Sequence, residues 1–209
     1  MTAPTTELVL ERVELCGRAL TLARPRDAEA LLDEEAFERE EFLPYWAEPW
    51  PSGLALARSL CSRALDGARV LELGCGLALP SLAAAIRGAR VLATDWAPDA
   101  VALAAANAAE NGIALESELA DWARPDELVA RAPWDLVAAA DVLYERRNVE
   151  LLLELLPRLV ASDGEVLLAE PGRPPARAFF ALASERWAVR SVAEQESPRV
   201  VVHSLKLKR

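Results

Sequence analysis

Cysteine and histidine are scarce in this chain, which contains three cysteines and one histidine in 209 residues. Cys16, Cys61 and Cys75 are odd in number, far apart in the sequence and never arranged as Cys-x-x-Cys. This pattern argues against a disulfide framework and against a zinc site, because both use paired or regularly spaced cysteines. Scattered, unpaired cysteines are typical of proteins in a reducing compartment. We therefore expect a cytoplasmic protein without a bound metal.

Long apolar runs and a leader segment are also missing from the sequence. A membrane-spanning helix needs about 18 or more apolar residues in succession, and charged residues interrupt every such window. Residues 1–7 contain neither a basic segment nor an apolar one. The sequence thus predicts no signal peptide and no contact with a membrane.

Positive charge is in the minority. The chain has 23 Lys and Arg against 33 Asp and Glu, which gives a formal net charge of −10 at pH 7. The one basic run lies at residues 206–209. An acidic surface repels the phosphate backbone, which argues against a nucleic acid substrate. The same acidic surface would attract a partner protein with a basic surface.

The length of 209 residues fits one domain with a sizeable core, with or without an extension. Short, continuously apolar runs alternate with longer helical stretches, which predicts a doubly wound parallel sheet covered on both faces. The strand candidates are residues 69–73, 90–94, 115–119, 136–140 and 166–169. The helix candidates are residues 54–65, 80–87, 98–111, 125–132, 148–160 and 176–184.

The two ends of the chain depart from this alternation. Two strand-like runs, 187–193 and 199–206, are separated by a loop short enough for an antiparallel hairpin, which would end a sheet of seven strands. Near the N-terminus, residues 8–15 and 19–22 predict a small hairpin, and residues 28–41 predict an acidic amphipathic helix. We interpret residues 1–45 as an N-terminal extension and candidate substrate lid, and residues 46–209 as the main domain.

A glycine loop, Glu72-Leu73-Gly74-Cys75-Gly76, ends the first sheet strand. The dinucleotide pattern G-x-G-x-x-G would need a glycine at position 79, which is Leu79. Glu72 would also repel a pyrophosphate, whereas it would attract a cation. S-adenosylmethionine carries a sulfonium and an ammonium and no phosphate, so it suits this loop better than a nicotinamide dinucleotide. We expect Cys75 to present its backbone to the ligand rather than to act as a nucleophile.

Carboxylates also follow the next two strands. Asp95 lies roughly 20 residues after the loop, the spacing expected of an acceptor for ribose hydroxyls, and Trp96 beside it would pack on adenine. Asp121 would accept from the exocyclic amine of adenine, with Trp122 as a wall of the pocket. The simpler alternative is that both aspartates cap helices and both tryptophans belong to the core. Carboxylates at three successive strand ends favour the ligand site.

These motifs resemble those of the class I, seven-β-strand S-adenosylmethionine-dependent methyltransferases, over about residues 45–209. One departure is Ala78, where many members have a third glycine. The resemblance implies an α/β, Rossmann-like doubly wound sheet that is mostly parallel and ends in an antiparallel hairpin. It also implies that S-adenosylmethionine is bound at the strand ends, with Ala140 among the contacts, and leaves as S-adenosylhomocysteine.

Residues 46–53 and Asp141-Val142-Leu143-Tyr144 narrow this resemblance to the D-x-x-Y protein-lysine methyltransferases. They are most similar to the electron-transfer-flavoprotein β-subunit lysine methyltransferase group. The resemblance implies that Trp50 lines the cofactor site and that Asp141 and Tyr144 flank the methyl-acceptor channel. A lysine of a partner protein is then the expected acceptor. Methylation of a small amine or metabolite, and a non-catalytic cofactor-binding module, stay open as alternatives.

The roles expected of Asp141 and Tyr144 follow from the chemistry of amine methylation. A lysine ammonium, with a reference pKa of about 10.4, must lose a proton before its nitrogen can react. Asp141 would hold this group and orient it, and Tyr144 would form an aromatic wall or donate from its hydroxyl. Glu170 is a candidate second substrate carboxylate, although a plain turn at Glu170-Pro171-Gly172 is the preferred interpretation. His203 is interpreted as structural, because its strand is expected at the edge of the sheet.

Overall fold

A seven-stranded mixed sheet lies at the centre of the fold in the computed structural model, which describes residues 7–28 and 44–208. The strands of the chain are β1 (Leu8–Leu15), β2 (Arg18–Pro25), β3 (Arg69–Leu73), β4 (Arg90–Asp95), β5 (Glu116–Leu119), β6 (Trp134–Ala140), β7 (Val160–Glu170), β8 (Trp187–Ala193) and β9 (Val201–Leu207). The sheet order is β5-β4-β3-β6-β7-β9-β8. Strands β3 to β7 are parallel to one another, and β9 is antiparallel to β7 and β8. The predicted fold class is confirmed.

Helices cover both faces of this sheet. They are α1 (Pro51–Cys61), α2 (Leu79–Ile86), α3 (Pro98–Glu110), α4 (Asp126–Ala130), α5 (Arg146–Leu159) and α6 (Pro174–Ala183). Neighbouring residues of β3 show why its sequence is continuously apolar: Val70 packs in the core under α1 to α3, and Leu71 packs under α4 to α6. Gly88 and Gly112 end α2 and α3 with φ of 89° and 62°, as expected of C-terminal caps.

The N-terminal hairpin β1–β2 is built onto the main domain. Leu20 and Leu22 are buried in the same core as α1, α2 and α3. Two side-chain amides of α3 also pair with β2 as a neighbouring strand would: Asn111 bonds both backbone groups of Thr21 at 2.8 Å, and Asn107 bonds those of Ala23 at 2.7 and 3.1 Å. The hairpin is therefore as predicted. The predicted helix at 28–41 lies, after its first residue, outside the described residues.

A disulfide joins Cys16, in the turn of the hairpin, to Cys61, the last residue of α1. The expectation of no disulfide, drawn from cysteine spacing, is therefore wrong. The two residues are 45 positions apart, and packing of the hairpin on α1 brings their Cα atoms to 4.9 Å. The spacing contains no information on this contact. The disulfide also removes the argument from cysteine usage for a reducing compartment, so a cytoplasmic location stays a prediction.

We expect the Cys16→Ser/Cys61→Ser variant to lose about 4 kcal/mol of unfolding free energy, because a link across 45 residues strongly restricts the unfolded chain. Urea denaturation measures this loss. Wild-type protein in a strong reductant should match the variant, which controls for the effect of the two serines. Three titratable thiols in the denatured, non-reduced wild type would contradict the disulfide.

Strand β9, which carries His203, lies between β7 and β8. The expectation that it forms the sheet edge is wrong, and β8 is the edge strand. A hairpin signal shows that two strands pair, but it does not show which of them joins the sheet. Within residues 7–28 and 44–208, no helix combines the length and apolar character needed to cross a membrane.

Candidate functional site

A cavity of about 900 Å³ opens where strands β3 to β6 end, a volume typical of sites for small organic ligands. Ligands of open α/β sheets bind at this edge, because the carboxyl ends of parallel strands meet there. Its lining includes every residue that the sequence singled out for the cofactor, together with Asp141 and Tyr144, but not Glu170. These are Trp50, Glu72, Gly74, Cys75, Gly76, Asp95, Trp96, Asp121, Trp122, Ala140, Asp141 and Tyr144.

The glycine loop approaches the cavity with its backbone. Gly74 and Gly76 have φ of 67° and 49°, and a Cβ at Gly76 would lie 2.9 Å from the backbone oxygen of Trp46. The following Ala78 is fully buried and also left-handed, with φ of 60°. Ala78 therefore adopts the left-handed conformation that suits the third glycine of other members, at a cost of roughly 1–2 kcal/mol. Burial raises the pKa of the Cys75 thiol well above its ordinary value, as suits a residue that presents its backbone.

We expect Gly76→Ala to lower the unfolding free energy by about 2–3 kcal/mol, because it adds a steric clash to the strain of a left-handed alanine. Gly112→Ala is the matched control. Gly112 has a similar φ of 62°, but a Cβ there would meet nothing within 4 Å. Its loss should stay near 1 kcal/mol. Equal losses in the two variants, measured by urea denaturation, would contradict the close approach of Trp46.

Glu72 is a buried carboxylate at the floor of the cavity, 1% exposed. Its Oε2 accepts hydrogen bonds from the backbone N and the Oγ of Ser81, at 2.9 and 2.5 Å. Burial raises the pKa of Glu72 to about 8, although the Ser81 hydrogen bonds act to lower it. Sequence reasoning missed Ser81. The available signal was a hydroxyl residue in the first turn of the helix that follows the loop.

Asp95 connects the glycine loop to the next strand. Its Oδ2 accepts from Gly76 N at 2.9 Å, and its Oδ1 accepts from Ala97 N at 3.1 Å. Burial raises the pKa of Asp95, and these backbone hydrogen bonds act in the opposite direction. The structural and ligand-binding interpretations of Asp95 are thus compatible, since one carboxylate both holds the loop and lines the cavity. Its contact with a ribose stays a prediction.

The outer end of the cavity is more exposed. Asp121 accepts from Arg124 Nε and from Ala123 N, each at 2.9 Å, and the hydrogen bond from Arg124 lowers the pKa of Asp121. Trp96 is 49% exposed. Trp122 is half-buried, and its ring lies 3.7 Å from the position that a Cβ of Gly74 would occupy. The expected contacts of these residues with adenine stay predictions.

Asp141 follows β6 in a left-handed conformation, with φ of 56°. Its backbone N donates to Ala169 O at 2.8 Å. Its Oδ1 accepts from Arg173 Nε at 2.9 Å, and its Oδ2 accepts from Ser52 Oγ at 3.3 Å. Sequence reasoning did not identify Ser52 or Arg173, because they lie 89 and 32 positions away from Asp141.

Aromatic rings surround the cavity near Asp141. Tyr144 packs edge-on against Tyr45 with ring centroids 5.5 Å apart, and Tyr45 packs against Trp50 at 6.1 Å. Trp50 Nε1 donates to Tyr45 O at 2.7 Å, which fixes the indole. Burial raises the pKa of Tyr144. Tyr45, which was not singled out from the sequence, joins the two predicted aromatic residues into one wall.

Glu170 does not line this cavity. Its carboxylate accepts from Gly172 N at 2.6 Å and from Arg173 N at 3.2 Å, and its Oε1 is 3.2 Å from His203 Nε2. Burial acts to raise the pKa of Glu170, but the hydrogen bonds prevail and lower it. The simpler interpretation of Glu170 as a turn residue therefore describes it, and the idea of a second substrate carboxylate is not supported. His203 also has a structural role: it contacts Glu170 from a strand inside the sheet, not from the edge strand that the sequence predicted.

A family model described as "Lysine methyltransferase" matches residues 47–186. Electron transfer flavoprotein beta subunit lysine methyltransferase of Xenopus laevis is 37% identical over 140 residues, which are 62% of this chain and 53% of that protein. Ubiquinone biosynthesis O-methyltransferase of Xylella fastidiosa (strain 9a5c) is 31% identical over 128 residues, 60% of this chain and 51% of that protein. The chain spans about half the length of the curated relatives it matches.

Among solved structures, the 16S rRNA N2 G1207 methyltransferase RsmC of T. thermophilus, in complex with AdoMet and guanosine, aligns with a TM-score of 0.69. The alignment covers 98% of this chain and 52% of that chain, at 16% sequence identity. At this identity the likeness shows a shared fold.

Proposed function

Because this chain belongs to the family of S-adenosylmethionine-dependent lysine methyltransferases, we propose that it methylates the ε-amine of a lysine on a partner protein. The observation that carries the proposal is the position of Asp141. Its carboxylate lines the large cavity and also a second cavity of about 420 Å³, and Trp50 is shared in the same way. A donor in the first cavity and an acceptor in the second would meet at this residue.

The residues of the large cavity fit S-adenosylmethionine. Two buried acidic side chains, Glu72 and Asp95, lie beside the glycine loop, where the cationic groups of S-adenosylmethionine would stabilise their ionised forms. The loop backbone can approach the ligand closely, since Gly74 and Gly76 have no side chains. When bound, this cofactor supplies an electrophilic methyl group on a sulfonium and becomes S-adenosylhomocysteine. We propose that Asp95, Trp96, Asp121 and Trp122 hold its nucleoside part.

Asp141 and the aromatic wall would prepare the acceptor. Asp141 would hold the lysine ammonium and keep the nitrogen aligned as the proton leaves. The rings of Tyr45, Trp50 and Tyr144 would exclude water and attract the cation, a contribution of roughly 0.5–2 kcal/mol. Alignment and removal of water are the main tasks of an enzyme for such a displacement. The role of the N-terminal extension, residues 1–45, as a substrate lid stays a prediction.

The electron transfer flavoprotein β-subunit is the first acceptor to test, because the Xenopus laevis relative is named for it. The match to an O-methyltransferase of ubiquinone biosynthesis favours a second candidate, a small-molecule acceptor. The second cavity opens on exposed Pro198 and Arg199, which leaves space for the backbone of a protein segment. We therefore rank the protein acceptor first.

Purified protein should be incubated with methyl-labelled S-adenosylmethionine and either recombinant flavoprotein β-subunit or a lysate of the source organism. We expect label in protein, mapped by mass spectrometry to lysine. Label confined to the small-molecule fraction would overturn the lysine proposal in favour of the second candidate. Cofactor binding without label in any fraction would favour a non-catalytic binding module.

A further inference from the structure

The second cavity shares Trp50 and Asp141 with the large one, and no residue of the glycine loop lines it. Besides Asp141, three segments form its walls: the start of α1, the turn after β7, and the loop between β8 and β9. Trp50, Pro171 and Pro198 supply rigid apolar surface. If the proposed function is right, the segment that carries the acceptor lysine must lie in this cavity, because its amine has to reach Asp141.

The charges in this cavity are opposite in sign to those of the whole chain. Its charged lining residues are Arg173, Arg199 and Asp141, which sum to +1, whereas the chain carries −10. Arg199 is exposed and forms no ion pair with any residue in the described ranges. Glu196 of the same loop does not line the cavity and is paired with Arg58. Two arginines and a single carboxylate are therefore the charged residues that line this cavity.

An acceptor lysine without an acidic neighbour would fit poorly among these charges. Arg173 Nε already bonds Asp141 Oδ1 at 2.9 Å, so an incoming ammonium would share the carboxylate with a guanidinium. Like charges at this range disfavour the charged form of the incoming group and its entry. An acceptor that brought its own carboxylate would neutralise part of this positive charge.

We propose that Arg173 and Arg199 bind an acidic side chain of the acceptor close in sequence to the methylated lysine; this rests on the proposed function. A guanidinium offers five N–H donors and suits bidentate binding of a carboxylate. Arg173 uses Nε on Asp141, and its side chain is 39% exposed, so its other nitrogens can reach the cavity. The enzyme thereby selects a lysine that has an acidic neighbour.

Arg173 is held in place for this role. Glu170 accepts from the backbone N of Gly172 and Arg173, and the guanidinium carbon lies 5.9 Å from the centre of the Trp50 ring. The turn after β7 and the aromatic wall thus fix the cation at the mouth of the acceptor channel. A fixed donor loses less freedom on binding a carboxylate than a mobile one, which favours selectivity.

The test uses synthetic peptides with one lysine and with Glu, Gln or Lys at each of the three positions on either side. With the wild type, we expect kcat/KM for the best Glu peptide to exceed that for its Gln counterpart about tenfold, the effect of one charge-assisted hydrogen bond. Arg199→Glu should reverse the preference toward the Lys-flanked peptide and leave S-adenosylmethionine affinity unchanged. Arg190→Glu, on exposed β8 and outside both cavities, is the control and should keep the wild-type preference.

If only folded proteins are methylated, acidic residues next to the mapped lysine are replaced by Gln in the labelled protein, and the same ratios are measured. Labelling of lysine with no preference for Glu over Gln, or with a preference that survives Arg199→Glu, would overturn this inference alone. Absence of lysine labelling in every peptide and protein would overturn the proposed function and this inference with it.

Discussion

Replacement of Asp141 by asparagine should reduce kcat/KM for lysine methylation by about 100-fold or more, the usual effect of a lost group that positions a reactant or moves its proton. Affinity for S-adenosylmethionine should stay close to that of the wild type. The reason is that the carboxylate of Asp141 is hydrogen-bonded to Ser52 and Arg173, which line the second cavity and not the large one. Steady-state kinetics and calorimetric titration with the cofactor measure the two quantities.

Asparagine is the right substitution because of the backbone. Asp141 has φ of 56°, a left-handed conformation that asparagine accepts and alanine resists by roughly 1–2 kcal/mol. Asp141→Ala would therefore mix strain with loss of charge. Asp163→Asn, an exposed aspartate outside both cavities, controls for the general loss of one negative charge. An Asp141→Asn variant with wild-type kcat/KM would show that another group handles the acceptor amine.

The cavity residues were predictable because they follow strands of one parallel sheet. Gly74, Asp95 and Asp141 each come at the end of an apolar run, and Asp121 comes just after the short, largely polar strand β5. The carboxyl ends of parallel strands meet at a common edge. Their joint placement needed only the strand assignments. Local patterns were therefore enough to identify which backbone and carboxyl groups meet.

The partners of these residues were not predictable in the same way. Arg173 reaches Asp141 from the turn after β7, and Cys61 reaches Cys16 from the end of a helix. Such contacts depend on how elements pack, and no local period or spacing encodes them. Strand β7 was also predicted too short, because Asp163 and Gly164 interrupt the apolar pattern of a strand that starts at Val160.

Glu72 should make the stability of the cofactor-free protein depend on pH. Burial raises its pKa from the ordinary 4.5 to about 8, so between these values the folded protein keeps a proton that the unfolded chain has released. The contribution of this proton to stability is complete below about pH 4.5 and is lost as the pH rises through 8. The unfolding free energy should thus fall across this window, and Glu72→Gln should remove that part of the fall.

Binding of S-adenosylmethionine should lower the pKa of Glu72, because a cationic ligand stabilises the carboxylate. At pH 7 we expect binding to release close to one proton, roughly 0.9, seen by titration calorimetry in two buffers that differ in ionisation enthalpy. Glu72→Gln should abolish the release and weaken binding. Asp121→Asn is the contrasting variant. Arg124 lowers the pKa of Asp121, so this carboxylate is already ionised before the cofactor binds. Asp121→Asn should therefore weaken cofactor binding without changing the number of protons released. Proton release that persists in Glu72→Gln would assign the titrating group elsewhere in the cavity.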